Sequence, residues 1–126
     1  MIQAARARVL LVEDNRAISR LIRVILASAG YVVDTVNSGK SAVQAIRETD
    51  PDLVLLDLEL PDTDGFHVLS KIRSSDDGRD LRVVAFTSHT EQDVVADVRS
   101  AGFDGYIPKP VVPDQFVAQI EKLLTD

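Results

Sequence analysis

Carboxylate side chains stand directly after two short apolar runs of this sequence. Glu13 and Asp14 follow the run VLLV at residues 9–12, and Asp57 follows the run LVLL at residues 53–56. Clustered anions repel one another, and a hard divalent cation with oxygen ligands relieves that repulsion. Mg²⁺ suits one or two carboxylates together with water and a phosphate oxygen. The pattern therefore favours a Mg²⁺ site, provided that the fold brings the ends of both runs together.

A hydroxyl group and an ammonium group follow two later apolar runs. Thr87 ends one of them, and Lys109 stands between two prolines directly after the other. Carboxylates, a hydroxyl and an ammonium around a metal ion suit phosphoryl transfer, because the cations neutralise the phosphoryl oxygens and a carboxylate can act as nucleophile. For a single acid, capping of the next helix is an equally good interpretation, and Asp14 or Asn15 is suited to cap the first one.

The elements that must position these side chains alternate between strands and helices. Strands are predicted at residues 9–12, 31–36, 53–56, 81–86 and 106–107. Helical spacing of apolar residues follows each strand: from Ile18 to Gly30, from Ser38-Gly39 to Asp50-Pro51, around 66–72, over 91–101 behind a Thr90–Asp93 capping pair, and from Pro113 onwards. Five β-α repeats predict a parallel sheet with right-handed helical crossovers.

The chain length decides between the two architectures that such repeats allow. An eight-unit barrel needs about 250 residues, and this chain has 126. We therefore expect an α/β fold of the flavodoxin-like, doubly wound (βα)5 type, a three-layer sandwich with parallel strand order 2-1-3-4-5. Strands 1 and 3 then flank the point at which the strand order reverses, and ligands bind there, outside the carboxyl ends of the strands. The acids would converge on that crevice.

Composition and charge exclude several functional classes. Fourteen basic against 20 acidic residues give a net charge of −6, which disfavours direct binding to nucleic acid or to an anionic membrane. The sequence has no cysteine, so disulfides and thiolate chemistry are excluded. No apolar run reaches the length of a signal peptide or a membrane-spanning helix. We expect a single domain over residues 1–126, located in the cytoplasm, with no membrane partner.

Four motifs in this order resemble the receiver domain of bacterial two-component response regulators. They are VLLVEDN at residues 9–15, PDLVLLDLELPDTDG at 51–65, VVAFTS at 83–88 and GYIPKP at 105–110. The resemblance extends over essentially the whole chain. One departure is Thr63, where the family often has Met, and this difference does not affect the chemistry.

The resemblance implies a role for each acid of the cluster. Asp57 would be the phosphoacceptor and would become 4-aspartylphosphate. Asp14 and Asp57 would hold Mg²⁺, with Glu13 completing the acid pair and the backbone carbonyl of Glu59 as a further ligand. The phosphoryl group would come from a sensor histidine kinase or a phosphotransfer protein. Such a domain is not an enzyme for other substrates, since it catalyses only its own phosphorylation and dephosphorylation.

The same resemblance implies a switch. Thr87 and Lys109 would bind the phosphoryl oxygens, and Tyr106 would turn inward when Thr87 shifts. A face formed by helix 4, strand 5 and helix 5 would change and control a downstream protein or an output domain that is absent from this chain. The family also implies a cis peptide bond between Lys109 and Pro110.

Other interpretations stay open on the sequence alone. A phosphatase with an Asp nucleophile usually carries a second Asp two residues later, where this chain has Glu59, and it needs a cap domain. A flavodoxin-like cofactor binder needs a phosphate loop after strand 1, whereas Glu13 and Asp14 repel phosphate without a metal. A receiver without chemistry is disfavoured because every site residue is present. Glu59 and His89 flank the expected site, where they would influence phosphoryl hydrolysis, although the favoured interpretation of His89 is an exposed residue without a role. His67 is assigned none.

Overall fold

Strands and helices alternate five times in the computed structural model, which describes residues 7–88 and 92–125 apart from the side chain of Asp93. The elements are β1 (Arg8–Val12), α1 (Arg16–Ser28), β2 (Val32–Val36), α2 (Ala42–Thr49), β3 (Leu53–Asp57), α3 (Gly65–Ser74), β4 (Arg82–Thr87), α4 (Gln92–Ala101), β5 (Gly105–Pro108) and α5 (Pro113–Thr125). Within the described ranges, every helix falls short of the length and apolarity that crossing a membrane requires.

All five strands form one parallel sheet in the order β2-β1-β3-β4-β5. β1 pairs with β2 on one side and with β3 on the other, so that Leu10 lies opposite both Asp34 and Val54. The chain order reverses between β1 and β3, which opens a crevice at the carboxyl ends of these strands. The predicted fold class and strand order are confirmed.

Two apolar cores lie on opposite faces of the sheet and create three layers. In β1, Leu10 and Val12 pack into the core shared with α2, α3 and α4, whereas Val9 and Leu11 pack into the core shared with α1 and α5. Every residue of β3 is buried. Strands covered on both faces are expected to be apolar throughout, which explains the continuous runs that the sequence shows.

The prediction that the second helix opens at Ser38-Gly39 is wrong, because α2 begins at Ala42. The backbone N–H groups of Gly39 and Lys40 donate to the carboxylate of Asp62, so this segment is a turn directed at another loop. Asn15 is one of the two residues predicted as the N-cap of the first helix, and it caps α1. Its Oδ1 atom accepts a hydrogen bond from the Ile18 N–H at 3.0 Å.

Other boundaries differ from the predictions by one or two residues. Helix α1 begins at Arg16, two residues before the first apolar position of the predicted spacing, and β4 continues to Thr87. The predicted capping pair of Thr90 with Asp93 lies outside the described residues.

Candidate functional site

The carboxyl edge of the sheet forms a cleft of about 310 Å³ at the reversal point. β1, β3 and β4 end at this cleft, and the segment after β5 closes it on one side. Its lining residues are Glu13, Asp14, Asn15, Ile18, Asp57, Glu59, Thr87, Ser88 and Lys109. The fold therefore brings together every predicted site residue except Tyr106.

Three carboxylates converge in this cleft. Oxygen atoms of Glu13, Asp14 and Asp57 all lie within 4.8 Å of one another. Glu13 and Asp57 are buried, whereas Asp14 is exposed at the mouth. Asp57 Oδ1 accepts a hydrogen bond from the Glu59 N–H at 3.0 Å, and Glu13 Oε2 accepts one from the Asn15 N–H at 3.1 Å. These two bonds fix the orientation of both buried carboxylates.

Lys109 supplies the positive charge that faces these acids. Its Nζ atom lies 2.8 Å from Glu13 Oε1, 3.5 Å from Asp57 Oδ2 and 4.8 Å from the centroid of the Phe86 ring. The Lys109 N–H also donates to the Thr87 carbonyl at 2.8 Å. The peptide bond between Lys109 and Pro110 is cis, as expected. The charge of this lysine therefore lies between the two buried carboxylates.

The donor set fits Mg²⁺. One ammonium among three carboxylates leaves a net charge of about −2, and hard oxygen ligands are those that Mg²⁺ prefers. Glu13 Oε1 is buried and pairs with the Lys109 ammonium at 2.8 Å, which occupies one of its two lone pairs. A buried carboxylate oxygen with spare acceptor capacity is well suited to a cation or to a water molecule bound to one.

The loop between β3 and α3 is held tightly against the end of β3. A Cβ atom at Gly65 would lie 2.7 Å from the Asp57 carbonyl oxygen and 2.8 Å from the Leu58 Cα. Only glycine fits this approach without displacing the backbone. Asp64 caps α3 by accepting from the His67 N–H at 2.9 Å. Glu59 consequently stands at the rim of the cleft, two residues after Asp57.

Thr87 and Tyr106 lie on neighbouring strands, as predicted. Thr87 pairs with Pro108 and is buried, whereas Tyr106 pairs with Ala85 and is 37% exposed. A residue and its partner on the next strand point to the same face of a sheet, and so do residues two positions apart on one strand. Thr87 and Tyr106 therefore point to the same side of the sheet. The structure thus brings Thr87 into the cleft and leaves the Tyr106 ring outside it.

Sequence reasoning missed several residues that shape the site. Ile18 and Ser88 line the cleft, and their only sequence signal is that they lie within a few residues of the predicted acids and of Thr87. Asp64 carried a clearer signal, since an Asp followed by a helical pattern is a typical N-cap. His89 lies outside the described residues.

Comparison with known proteins identifies the family. The sequence model of the family described as the response regulator receiver domain matches residues 9–121 of this chain. The chain belongs to this family. A receiver domain is the phosphoacceptor signalling domain of a two-component system, and an acidic cluster at the carboxyl edge of its sheet fits that function.

Relatives and solved structures agree with this assignment. The receiver domain is 31% identical over 118 residues to the polar-differentiation response regulator DivK of Brucella ovis, covering 94% of this chain and 96% of the relative. It is 30% identical, with a TM-score of 0.87, to the receiver domain of the sensor histidine kinase PA1611 from Pseudomonas aeruginosa, covering 97% and 100% of the two chains. That structure holds a magnesium ion in its active-site cleft.

A further solved structure extends the similarity to another branch of the family. The two-component response regulator of the LuxR family from Aurantimonas is 31% identical, with a TM-score of 0.86. The alignment covers 96% of this chain and 86% of that one. The fold of this receiver domain is therefore shared with regulators and with a kinase-borne receiver alike.

Proposed function

We propose that residues 1–126 act as one cytoplasmic receiver domain that accepts a phosphoryl group on Asp57 with the help of Mg²⁺. The observation that carries this proposal is the placement of the Asp57 carboxylate. It is buried at the end of β3, with two further acids within 4.8 Å and the Lys109 ammonium 3.5 Å away. A nucleophile, a site for a cation and a fixed positive charge thus meet in one cleft.

The transfer reaction follows from the charges in the cleft. A carboxylate oxygen of Asp57 attacks the phosphorus atom of a phosphohistidine in a sensor histidine kinase or a phosphotransfer protein. The P–N bond breaks, its electron pair stays on the imidazole, and the imidazole takes up a proton from solvent. Lys109 neutralises charge on the phosphoryl oxygens during this in-line displacement. The products are an aspartyl phosphate and a free histidine.

The metal would be held by residues that already converge. Asp14, Asp57 and the backbone carbonyl of Glu59 would bind Mg²⁺, and Glu13 would complete the acid pair. The ion supplies additional positive charge for the phosphoryl oxygens and relieves the repulsion among the acids. The Lys109–Glu13 ion pair at 2.8 Å keeps the ammonium beside the cleft. Without a cation, the cleft would repel an incoming phosphoryl group.

Phosphorylation would be read out on the face formed by α4, β5 and α5. A phosphoryl group raises the charge on Asp57 to about −2 and adds strong acceptor oxygens. The Thr87 hydroxyl lines the cleft and would move to donate to one of them. Tyr106, on the same face of the sheet, borders a cavity of about 130 Å³ next to α4 and would turn inward. A downstream protein or a linked output domain would bind the altered face.

The outer surface of α1 supports a protein as phosphodonor. Leu21 and Val24 are exposed there, and Ile18 of the same helix lines the phosphoacceptor cleft. Apolar side chains beside a reactive site are typical of a surface that a partner protein covers. After transfer, attack of water at phosphorus would release the Asp57 carboxylate and return the domain to its resting form.

Mass spectrometry tests the proposal directly. After incubation with Mg²⁺ and acetyl phosphate, the intact protein should carry one added phosphoryl group, and peptide mapping should place it on Asp57. Asp57→Asn should abolish the added mass, whereas Asp77→Asn, an exposed acid far from the cleft in sequence, should retain it. Stoichiometric labelling of Asp57→Asn would show that the acceptor is another residue.

A further inference from the structure

The β3–α3 loop is fastened to the segment before α2 by one carboxylate. Within this loop the Leu60 N–H donates to the Thr63 carbonyl at 3.2 Å, which places Asp62 at the tip of a tight turn. Asp62 Oδ1 accepts from the Gly39 N–H at 3.0 Å, and Oδ2 accepts from the Lys40 N–H at 2.9 Å. The two carboxylate oxygens therefore each accept from one of two consecutive backbone N–H groups. We call this arrangement the Asp62 clasp.

Close packing beside the clasp shows that the two loops fit one another. A Cβ atom at Gly39 would lie 2.5 Å from Thr63 Cγ2 and 2.6 Å from Val68 Cγ2. The hydrogen bond donated by the Gly39 N–H, together with the one from the Lys40 N–H, lowers the pKa of the Asp62 carboxyl, whereas burial acts in the opposite direction. The carboxylate consequently stays ionised at neutral pH, and its hydrogen bonds are charge-assisted.

Each of the two segments joined by the Asp62 clasp is also hydrogen-bonded to a residue of the acidic cleft. On one side, the Glu13 N–H donates to the Val36 carbonyl at 3.0 Å, three residues before Gly39. On the other side, the Glu59 N–H donates to Asp57 Oδ1 at 3.0 Å, three residues before Asp62. The clasp therefore joins two chain segments that are each hydrogen-bonded beside the cleft at their other end.

We infer that Asp62 is a positioning residue for the metal site, because it fixes the loop that carries the Glu59 carbonyl. The inference rests on the Mg²⁺ site of the proposed function and deepens it. A backbone carbonyl binds a cation well only when the loop behind it holds a single conformation, and Mg²⁺ is demanding in its geometry. Release of the loop tip would leave the carboxylates in place but let the carbonyl move.

Metal affinity measured by isothermal titration calorimetry separates positioning from simple stabilisation. Asp62→Ala should weaken Mg²⁺ binding roughly ten-fold, at the low end of the effects that outer-shell residues produce. Asp62→Asn keeps one acceptor oxygen and should give an intermediate value. Asp80→Asn is the matched control, since it removes one exposed carboxylate charge outside the clasp and should leave the affinity unchanged.

Amide exchange of Gly39 and Lys40, followed by NMR, reports on the clasp itself. Both amides should exchange faster in Asp62→Ala. If they do and the Mg²⁺ affinity equals that of the parent, Asp62 has only a structural role and the inference is wrong. If they do not, the clasp does not exist in solution, which also overturns it.

Failure of the proposed metal site has a different signature. In that case the parent protein would show no Mg²⁺ binding, or Asp14→Ala would bind as tightly as the parent. Weakened binding in Asp14→Ala together with parent-like binding in Asp62→Ala would refute the positioning role alone.

Discussion

Replacing Asp57 by Asn should stabilise this receiver domain in the absence of divalent metal. The substitution keeps an oxygen that can accept from the Glu59 N–H, and it leaves Lys109 paired with Glu13 at 2.8 Å. What it removes is one of the three negative charges that converge beside the Lys109 ammonium. The residue proposed as phosphoacceptor is thus expected to cost stability until a cation arrives.

The size of the effect follows from the distances. At an effective dielectric constant of about 20, charges 4.8 Å apart interact by roughly 3.5 kcal/mol; the carboxylate oxygens lie within that distance, so the two acids repel Asp57 by at least about 7 kcal/mol. Attraction to Lys109 at 3.5 Å offsets about 5 kcal/mol of this. Solvent screening of the exposed Asp14 reduces the remainder. We expect a gain of about 1 kcal/mol in the free energy of unfolding.

Urea denaturation followed by far-UV circular dichroism provides the assay, since the chain lacks Trp. In EDTA, Asp57→Asn should unfold at a higher urea concentration than the parent. With Mg²⁺ at a hundred times its dissociation constant, the parent should gain about 2.7 kcal/mol and overtake the variant. Asp77→Asn is the control, because its exposed ion pair with Arg47 should contribute less than about 1 kcal/mol. A less stable Asp57→Asn in EDTA would refute the charge argument.

Two further substitutions test other parts of the molecule. The Arg73 side chain is only 25% exposed and donates hydrogen bonds to the carbonyls of Gly78 and Leu81 and to the Asp104 carboxylate. Arg73→Met should therefore lower the free energy of unfolding by about 2–3 kcal/mol. A loss under about 0.5 kcal/mol in thermal unfolding would contradict this. Thr87→Ala should still bind Mg²⁺, yet beryllofluoride should no longer shift NMR signals of α4 and α5. Parent-like shifts there would show that the switch does not run through Thr87.

The fold could be predicted because the three central strands, β1, β3 and β4, are buried on both faces over most of their length and are therefore largely apolar. The runs before Glu13 and Asp57 marked β1 and β3, and their order fixed where the acids meet. The start of α2 was not predictable in this way. Ser38-Gly39 is locally a good helix opening, but the carboxylate of Asp62, 23 residues away from Gly39, draws the backbone N–H groups out of the helix.

The candidate site was predictable for a related reason, since parallel strands deliver the residues at their carboxyl ends to one edge. That rule placed Asp14, Thr87 and Lys109 in one cleft but gave no information about side-chain orientation. The outward position of Tyr106, at 37% exposure, is one such orientation. The Asp62 clasp was missed because its partners are backbone groups, which carry no residue-type signal.

The charge imbalance of the cleft links stability to signalling. Three converging carboxylates and one ammonium should make the metal-free domain less stable than its burial of apolar surface alone would allow, and the same imbalance favours the binding of a cation. A phosphoryl group on Asp57 would add negative charge to that cleft, so we expect its transfer to depend on the positive charges of Mg²⁺ and Lys109. Because Thr87 is a buried hydroxyl residue that lines the same cleft and ends the strand next to β5, we expect its movement towards the new oxygens to carry this local charge change to β5 and the outer face of α4.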